Sequence, residues 1–224
     1  METKSFLLLA SLLLAAICGY LLGSVNPAII IGRLIYKKDI RKLGSGNAGM
    51  TNVMRNFGKK SAALTLICDI AKGLIAVLLG RLLFMLLAPA SSPDYGAYIG
   101  AVSAVAGHMF PVYFGFKGGK GVATVGGAII ALNPIIAAIL LVILLVLMAV
   151  SKMVSLASII TVTCFPIITL LWNLLISENN PLFPTICSAV IAALVIWGHR
   201  ENIQRIAAGT ERKIGNKTST EANT

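Results

Sequence analysis

The sequence contains little charge, and acidic charge is especially scarce. Charged residues make up 12% of the 224 residues, with 8 Asp and Glu against 19 Lys and Arg, whereas soluble domains carry about 25% charged residues. Hydrophobic residues account for 57% of the chain, and the mean hydropathy is +0.89. Because so few charged side chains cannot cover a water-exposed surface of this size, the composition excludes a soluble globular protein.

The sequence also lacks the residue clusters that metal and redox chemistry require. Its two histidines, His108 and His199, have no cysteine or carboxylate cluster to complete a metal site. The cysteines show no CxxC spacing and lie inside apolar runs, as small buried hydrophobic residues do. We therefore predict no metal, no cofactor and no redox role for the four cysteines, which are Cys18, Cys68, Cys164 and Cys187.

What the sequence does contain is a series of apolar runs that have the length of membrane-crossing helices. These runs predict an all-α, polytopic membrane protein with about seven spans, or six if the short fourth span is re-entrant. The first span can continue as a kinked or interfacial extension over 27–35. The predicted spans are 6–22, 62–87, 95–114, 122–132, 134–150, 154–176 and 182–198.

The basic residues fix a predicted orientation, because Lys and Arg accumulate on the cytoplasmic side of membrane proteins. With the N-terminus outside, 17 of the 19 basic residues fall on the inner side, and only Lys4 and Arg81 do not. An odd number of spans then places the basic C-terminus in the cytoplasm. We predict one membrane domain over 1–214, followed by a disordered polar tail over 215–224.

Three segments on the predicted inner side are far richer in Gly, Ser, Asn and Thr than a membrane loop needs to be. They read GSGNAGMTNVMR over 44–55, GHMFPVYFGFKGGKGVAT over 107–124 and HRENIQRIAAGTE over 199–211. An ordinary inner loop requires positive charge alone. The enrichment therefore predicts a functional site built from these three segments.

The first segment combines flexible glycines with hydrogen-bond donors. Ser45, Asn47, Thr51 and Asn52 supply neutral donors, and Arg55 can form two parallel bonds to a phosphate or carboxylate. Exposed amides at a helix start also bind anions. The alternative is a capped helix start with Arg55 reaching toward the membrane surface.

The second segment leads a glycine-rich loop into the short fourth span. Gly118, Gly119 and Gly121 permit close approach of the backbone to an anion, with Lys120 as a point charge and Thr124 in the first helical turn. It is not a Walker A motif, because Gly121 stands where Ser or Thr must follow the lysine. The alternative is a flexible basic turn.

The third segment and the remaining polar residues allow more than one role. His199 can act as a general base or a phosphate ligand, and Asn202 shares its face if the segment is helical. Glu211 is better read as a structural anchor, and His108 as a hydrogen-bonded structural residue. The second predicted span contains two charged residues, Asp69 and Lys72. Charged residues inside a membrane span often have a function. Alternatively, these two can form an ion pair with each other, because they are three positions apart.

Several anion cradles on one face of a membrane protein predict a phosphate-bearing substrate, whose apolar chain would lie between the helices. The residues alone do not separate an enzyme from a phosphate-sensing or transport protein. A transport protein would need a polar path to the outer face, yet the outer halves of the spans are almost wholly apolar, with Arg81 the main exception. A scaffold with merely basic loops does not explain the polar enrichment.

At these segments the sequence resembles the bacterial acyl-phosphate:glycerol-3-phosphate acyltransferases. The similarity is carried by S-x-N-x-x-x-T-N-x-x-R over 45–55, by G-H-x-F-P and F-K-G-G-K-G-V-A-T over 107–124, and by H-x-x-N-I-x-R-x-x-x-G-x-E over 199–211. The order of the motifs, their spacing and their predicted location on the inner side agree with that family, and the similarity covers roughly residues 15–214. The H-x-x-x-x-D motif of the acyl-CoA-dependent glycerolipid acyltransferases is absent, because Tyr113 and Gln204 stand five residues after the two histidines.

The resemblance implies transfer of a fatty acyl group from acyl phosphate to the 1-hydroxyl of glycerol 3-phosphate, giving lysophosphatidic acid and inorganic phosphate. It implies the first step of phospholipid synthesis in the bacterial inner membrane, with the site facing the cytoplasm and a soluble partner enzyme that makes acyl phosphate. It also implies essential polar contacts from Ser45 and Arg55, and a phosphate site at Lys120 and its glycines. His199 and Asn202 would line the site, and either His199 or the donor's phosphate would take the proton.

Overall fold

The computed structural model describes residues 2–177 and 180–214, and within these ranges the chain forms helices and no strands. This confirms the all-α prediction. The predicted tail over 215–224 lies outside the described residues. The α-helices in the described ranges are α1 (Glu2–Ser24), α2 (Pro27–Leu34), α3 (Met50–Leu87), α4 (Pro93–Met109), α5 (Val122–Leu132), α6 (Pro134–Ser151), α7 (Val154–Leu175), α8 (Leu182–Gly198) and α9 (Arg200–Ala207).

Five helical stretches in the described ranges are long and apolar enough to cross a membrane: Lys4–Leu34, α3, Pro93–Phe114, α6 and α7. A sixth results if α8 and α9, which are bent by 61° at His199, count as one span. Helix α5 has 11 residues, so it extends about 17 Å at 1.5 Å per residue, short of a bilayer core of about 30 Å. Helix α5 is therefore the short fourth span of the prediction, and the count of seven membrane crossings remains a prediction.

Two helices differ from the predicted spans for identifiable reasons. The extension after the first span is a separate helix, α2, which Asn26 caps by accepting a hydrogen bond from the Ile29 amide at 3.1 Å. Helix α3 starts at Met50, 12 residues before the predicted span at Ala62, because a first helical stretch precedes a kink at Gly58. The φ of +85° at that kink belongs to the left-handed region, which glycine adopts without a steric penalty.

Glycines allow the helices around α4 to pack backbone to backbone, as small residues do in membrane proteins. A Cβ at Gly80 of α3 would overlap the backbone of Gly96 in α4, and a Cβ at Gly23 of α1 would overlap that of Ala104. Between these contacts lies an apolar core. It includes Val77, Ala97, Ala101, Val105, Val125, Ala128, Ile129, Phe165 and Ile191.

The helix directions place all three polar segments at one end of the bundle. At the opposite end is a cavity of about 570 Å³, and Arg81, Asp94, Asn133 and Asn173 are among the residues that line it. Asn173 of α7 is a further buried polar residue at that end, beside the charged Arg81. The apolar core cluster contains residues from α3, α4, α5, α6, α7 and α8.

Candidate functional site

Arg41 joins the first polar segment to the second. Its guanidinium donates to the carbonyls of Phe114, at 2.7 Å, and Lys117, at 3.0 Å. The carboxylate of Asp39 orients Arg41 through bonds at 2.8 and 3.0 Å, and it also accepts from Arg33 at 3.1 Å. The Arg41 hydrogen bond holds the pKa of Asp39 well below its usual range. The link therefore stays ionised at neutral pH.

Asn52 holds the loop of the first segment in shape. Its side-chain amide donates to the carbonyls of Ile40, Leu43 and Asn47 at 3.0–3.1 Å, and its Oδ1 accepts from the Ser45 backbone amide at 3.1 Å. The residue is 1% exposed. These bonds occupy the polar atoms that sequence reasoning offered to a phosphate, so Asn52 shapes the loop around the site.

Other polar groups of the first segment remain accessible. Ser45 and Arg55 are exposed, and Asn47 and Thr51 are partly exposed. In the part of the chain that the structure describes, the Arg55 guanidinium and the Ser45 hydroxyl form no hydrogen bond or ion pair. The charges of Arg212 and Glu211 both lie close enough to act on Arg55, with opposite signs. The exposed Arg55 guanidinium is available to an anionic ligand.

The backbone of the glycine loop is fastened to the end of α4. The amide of Gly118 donates to Met109 O at 3.1 Å, and that of Gly119 donates to His108 O at 3.2 Å. A Cβ at Gly118 would overlap the His108 carbonyl. These two glycines therefore serve close packing, and their amides are not free to bind a phosphate.

Free amides occur two residues later, where α5 begins. Gly121 adopts φ +83° as the N-cap, and the first helical bond runs from Val125 N to Gly121 O at 2.8 Å. The amides of 122–124 thus have no carbonyl partner within the helix, and no side chain caps them. Such a helix start binds anions. The Thr124 side chain is fully buried, and its Oγ1 makes no hydrogen bond to any described residue.

A hydrogen-bonded chain connects the second and third segments. Lys120 Nζ donates to Asn202 Oδ1, and Asn202 Nδ2 donates to Glu211 Oε1 at 2.8 Å. Ser155 Oγ and Arg205 Nε also donate to the Glu211 carboxylate, each at 2.8 Å. Burial raises the pKa of Glu211, but the hydrogen bonds from Asn202, Ser155 and Arg205 outweigh it, so the pKa is lowered. The geometry thus agrees with the reading of Glu211 as an anchor.

Burial shifts the pKa values of two groups beside this chain. It lowers the pKa of Lys120 to about 8, with help from the positive charge of Arg205. It lowers the pKa of His199, which is 3% exposed, to about 4. The Nδ1 of His199 lies 2.8 Å from Val195 O, which can only accept, so Nδ1 carries the proton. At neutral pH His199 is therefore uncharged, with a lone pair on Nε2.

The sequence pointed to some of the groups that hold the segments in place and gave no sign of others. Asp69 and Lys72 form the ion pair weighed as an alternative, at 2.8 Å, and His108 completes a buried cluster with them. Asn26, which bonds Ala48 O at 3.4 Å, gave no signal beyond its place before a proline. Ser155 also gave none, because nothing in the chain order links it to the third segment. Among the described residues, no group of three or more His, Cys, Asp or Glu is placed to hold a metal ion.

Comparisons with known proteins show the family of the chain. Residues 13–209 match the family model described as glycerol-3-phosphate acyltransferase. The chain is 39% identical to the glycerol-3-phosphate acyltransferase of Clostridioides difficile over 92% of this chain and 97% of the relative. It is 42% identical to that of Neisseria gonorrhoeae over 91% and 97%, respectively.

Two solved structures share the fold. Both are crystal structures of PlsY (YgiH), an integral membrane glycerol 3-phosphate acyltransferase, at 36% identity over 92% of this chain and 96% of that one. The TM-score is 0.79 for the glycerol 3-phosphate form and 0.75 for the lysophosphatidic acid form.

Proposed function

Because the chain belongs to the glycerol-3-phosphate acyltransferase family, we propose that it transfers a fatty acyl group from acyl phosphate to the 1-hydroxyl of glycerol 3-phosphate. The products are 1-acylglycerol 3-phosphate (lysophosphatidic acid) and inorganic phosphate. The family membership makes the chain an acyltransferase of phospholipid synthesis. The donor and the position of acylation are our proposal.

The observation that carries this proposal is the convergence of separate anion-binding elements at one end of the bundle. Arg55 comes from α3, Lys120 from the glycine loop, and the uncapped amides from the start of α5. Each element suits a phosphate. Two phosphate-bearing substrates require two such places, whereas a single phosphorylated ligand requires one.

The reaction needs no covalent enzyme intermediate. Acyl phosphate is an activated mixed anhydride, so the substrate hydroxyl oxygen can attack its carbonyl carbon directly. The bond from that carbon to the phosphate oxygen then breaks, and phosphate leaves with the electron pair. Lys120 and the α5 amides would stabilise the charge on the leaving phosphate, and Arg55 would hold a substrate phosphate.

We favour the leaving phosphate as the acceptor of the hydroxyl proton. His199 has a free lone pair, but its low pKa makes it a weak base, and no carboxylate in the described ranges bonds to it to raise its basicity. The leaving phosphate is a stronger base than this imidazole, since even a phosphate monoester has a second pKa of about 6. We expect His199→Gln to keep most of kcat. A collapse of kcat with unchanged KM would instead assign the proton to His199.

For the setting, we propose seven crossings in a bacterial inner membrane, with the N-terminus outside and the site in the cytoplasm. The clustering of the basic residues supports this orientation. A cytoplasmic site would receive acyl phosphate from a soluble partner enzyme. A fluorescent protein fused to the C-terminus should fold and fluoresce in cells, whereas a periplasmic reporter enzyme at the same place should be inactive; the reverse pattern would refute the orientation.

The decisive assay measures phosphate release by the purified protein in detergent or lipid cubic phase. Palmitoyl phosphate and glycerol 3-phosphate are supplied together and singly, and palmitoyl-CoA replaces the donor in a parallel reaction. We expect phosphate release and lysophosphatidic acid only with both phosphate substrates. Activity with palmitoyl-CoA alone would refute the donor. Folded protein that is silent with every donor would favour an anion-binding or transport role.

A further inference from the structure

A buried cluster of three titratable side chains lies beneath the glycine loop, and the proposed mechanism does not use it. Asp69 and Lys72 belong to α3, and His108 belongs to α4, and these residues are 2%, 6% and 3% exposed. Asp69 Oδ1 lies 2.8 Å from Lys72 Nζ and 3.3 Å from His108 Nδ1. Burying three such groups is costly unless each is paired, so the cluster calls for a function.

The geometry fixes the protonation form of the His108 ring. Lys72 Nζ hydrogen-bonds to the carbonyl of Val25 and to His108 Nδ1, each at 2.8 Å, and forms an ion pair with Asp69 Oδ1 at 2.8 Å, although that oxygen accepts no hydrogen bond from a described residue. An ammonium group has three protons to donate and cannot accept. Nδ1 of His108 is therefore the acceptor, and the ring proton lies on Nε2.

The other side of the His108 ring supports the glycine loop. A Cβ added at Gly119 would overlap His108 Nε2 and would lie 2.7 Å from Ala48 O. The His108 carbonyl also accepts the Gly119 amide at 3.2 Å. One residue of α4 thus holds the loop through both its ring and its backbone. Lys120, the next residue of that loop, is the cation of the proposed phosphate site.

We propose that Asp69 and Lys72 are positioning residues for the acyl transfer, which act through His108. They hold its ring in the Nε2–H form and against Gly119, and thereby place Lys120 and the start of α5. Neither residue touches substrate. The inference rests on the proposed function for its effect on rate, whereas its effect on His108 is independent of any activity.

The test uses a variant without either charge, Asp69→Asn/Lys72→Met, because removal of one partner alone would leave a buried unpaired charge. A displacement of the loop by about 1 Å should lower kcat/KM about 100-fold. In a His108→Asn background the same two changes should cost less than about 3-fold, because the residue through which they act is gone. Losses that multiply in the combined variant would overturn the inference, as would a charge-free variant that no longer folds.

A spectroscopic readout separates this inference from the proposed function. The chain has two histidines, so the His199→Gln variant with a histidine-free affinity tag contains His108 alone. Nitrogen-15 NMR of labelled histidine should show the neutral Nε2–H form, and the charge-free pair should convert it to a mixture of both neutral forms. An Nδ1–H ring, or a ring that the charge-free pair does not alter, would overturn the inference even if the wild-type protein proved inactive.

The matched control is another ion pair that involves α3. Arg81 and Asp94 join α3 to α4 at 3.2 Å, at the end of the bundle away from the polar segments. Arg81→Gln/Asp94→Asn should leave kcat/KM within about 2-fold of the wild type and the His108 spectrum unchanged. Equal losses in this control would mean that any ion pair of α3 matters, and would overturn the positioning role.

Discussion

The sharpest test of the loop geometry is a single methyl group added to Gly119. The change Gly119→Ala places a Cβ onto His108 Nε2 and 2.7 Å from Ala48 O. Neither neighbour can retreat, because Lys72 holds the His108 ring at 2.8 Å and Asn26 holds the Ala48 carbonyl. The loop itself must therefore move and carry Lys120 with it.

The expected magnitude follows from that displacement. Shifting a positioned group by about 1 Å costs about 100-fold in rate, which corresponds to about 2.7 kcal/mol of transition-state stabilisation. We expect kcat/KM for phosphate release from palmitoyl phosphate, with saturating glycerol 3-phosphate, to fall by that factor. The free energy of unfolding should also fall, by about 1–3 kcal/mol, as for other overpacked sites.

Gly126→Ala is the control, because a Cβ at Gly126 of α5 meets nothing within 4 Å. It should retain wild-type kcat/KM and stability, because alanine fits a helix better than glycine. If Gly119→Ala keeps kcat/KM within about 3-fold of the wild type, the loop is not held as described. If both variants lose activity equally, the loss reflects α5 as a whole and not the contact with His108.

Three further predictions test the charged groups of the site. Arg55→Lys should lower kcat/KM at least about tenfold, because a point charge cannot form two parallel bonds to phosphate. The control Lys59→Gln, at an exposed position of α3, should change kcat/KM little. Equal effects of the two variants would refute the role of Arg55. Burial lowers the pKa of Lys120 to about 8, so Lys120 is charged below pH 8 and kcat/KM should decline as the pH rises through that value. Lys120→Arg should move this decline to higher pH. If the pH profile does not move, the decline belongs to a group other than Lys120. Glu211→Gln should lower the free energy of unfolding in detergent by about 1–3 kcal/mol, because the Glu211 carboxylate accepts three hydrogen bonds. The control Glu201→Gln changes an exposed residue and should alter that free energy by less than about 0.5 kcal/mol. Similar values for the two variants would contradict the anchoring role of Glu211.

Sequence patterns predicted the features that composition determines. The long apolar runs predicted the helical fold. The three polar segments could be identified because lipid-facing sequence rarely contains so many Asn, Ser and Thr residues. The sequence predicted a kinked or interfacial extension after the first span, and the structure has a separate helix α2 there. The start of α3 at Met50 was not expected, because the helical stretch before the kink at Gly58 is too polar to indicate part of a membrane span.

Roles within the segments depended on contacts that residue type does not reveal. Asn52 has the same side chain as Asn47, yet its polar atoms are bound to the surrounding loop. The glycines Gly118 and Gly119 indicate a phosphate loop, yet their amides bond to α4. Chain order also gives no sign that Ser155 meets Glu211, because the contact joins residues 56 positions apart.

The anchoring of Glu211 has a consequence for how the protein is made. Asn202, Ser155 and Arg205 all bond to this carboxylate, and the Ile214 amide bonds to Lys152 O at 2.7 Å. During synthesis every helix described in the structure emerges from the ribosome before residue 211 does. A nascent chain can therefore be inserted in the membrane before its third segment has formed the hydrogen bonds to Glu211. Activity should begin only once Glu211 has formed these bonds, so a chain cut before residue 211 would occupy the membrane without consuming its substrates.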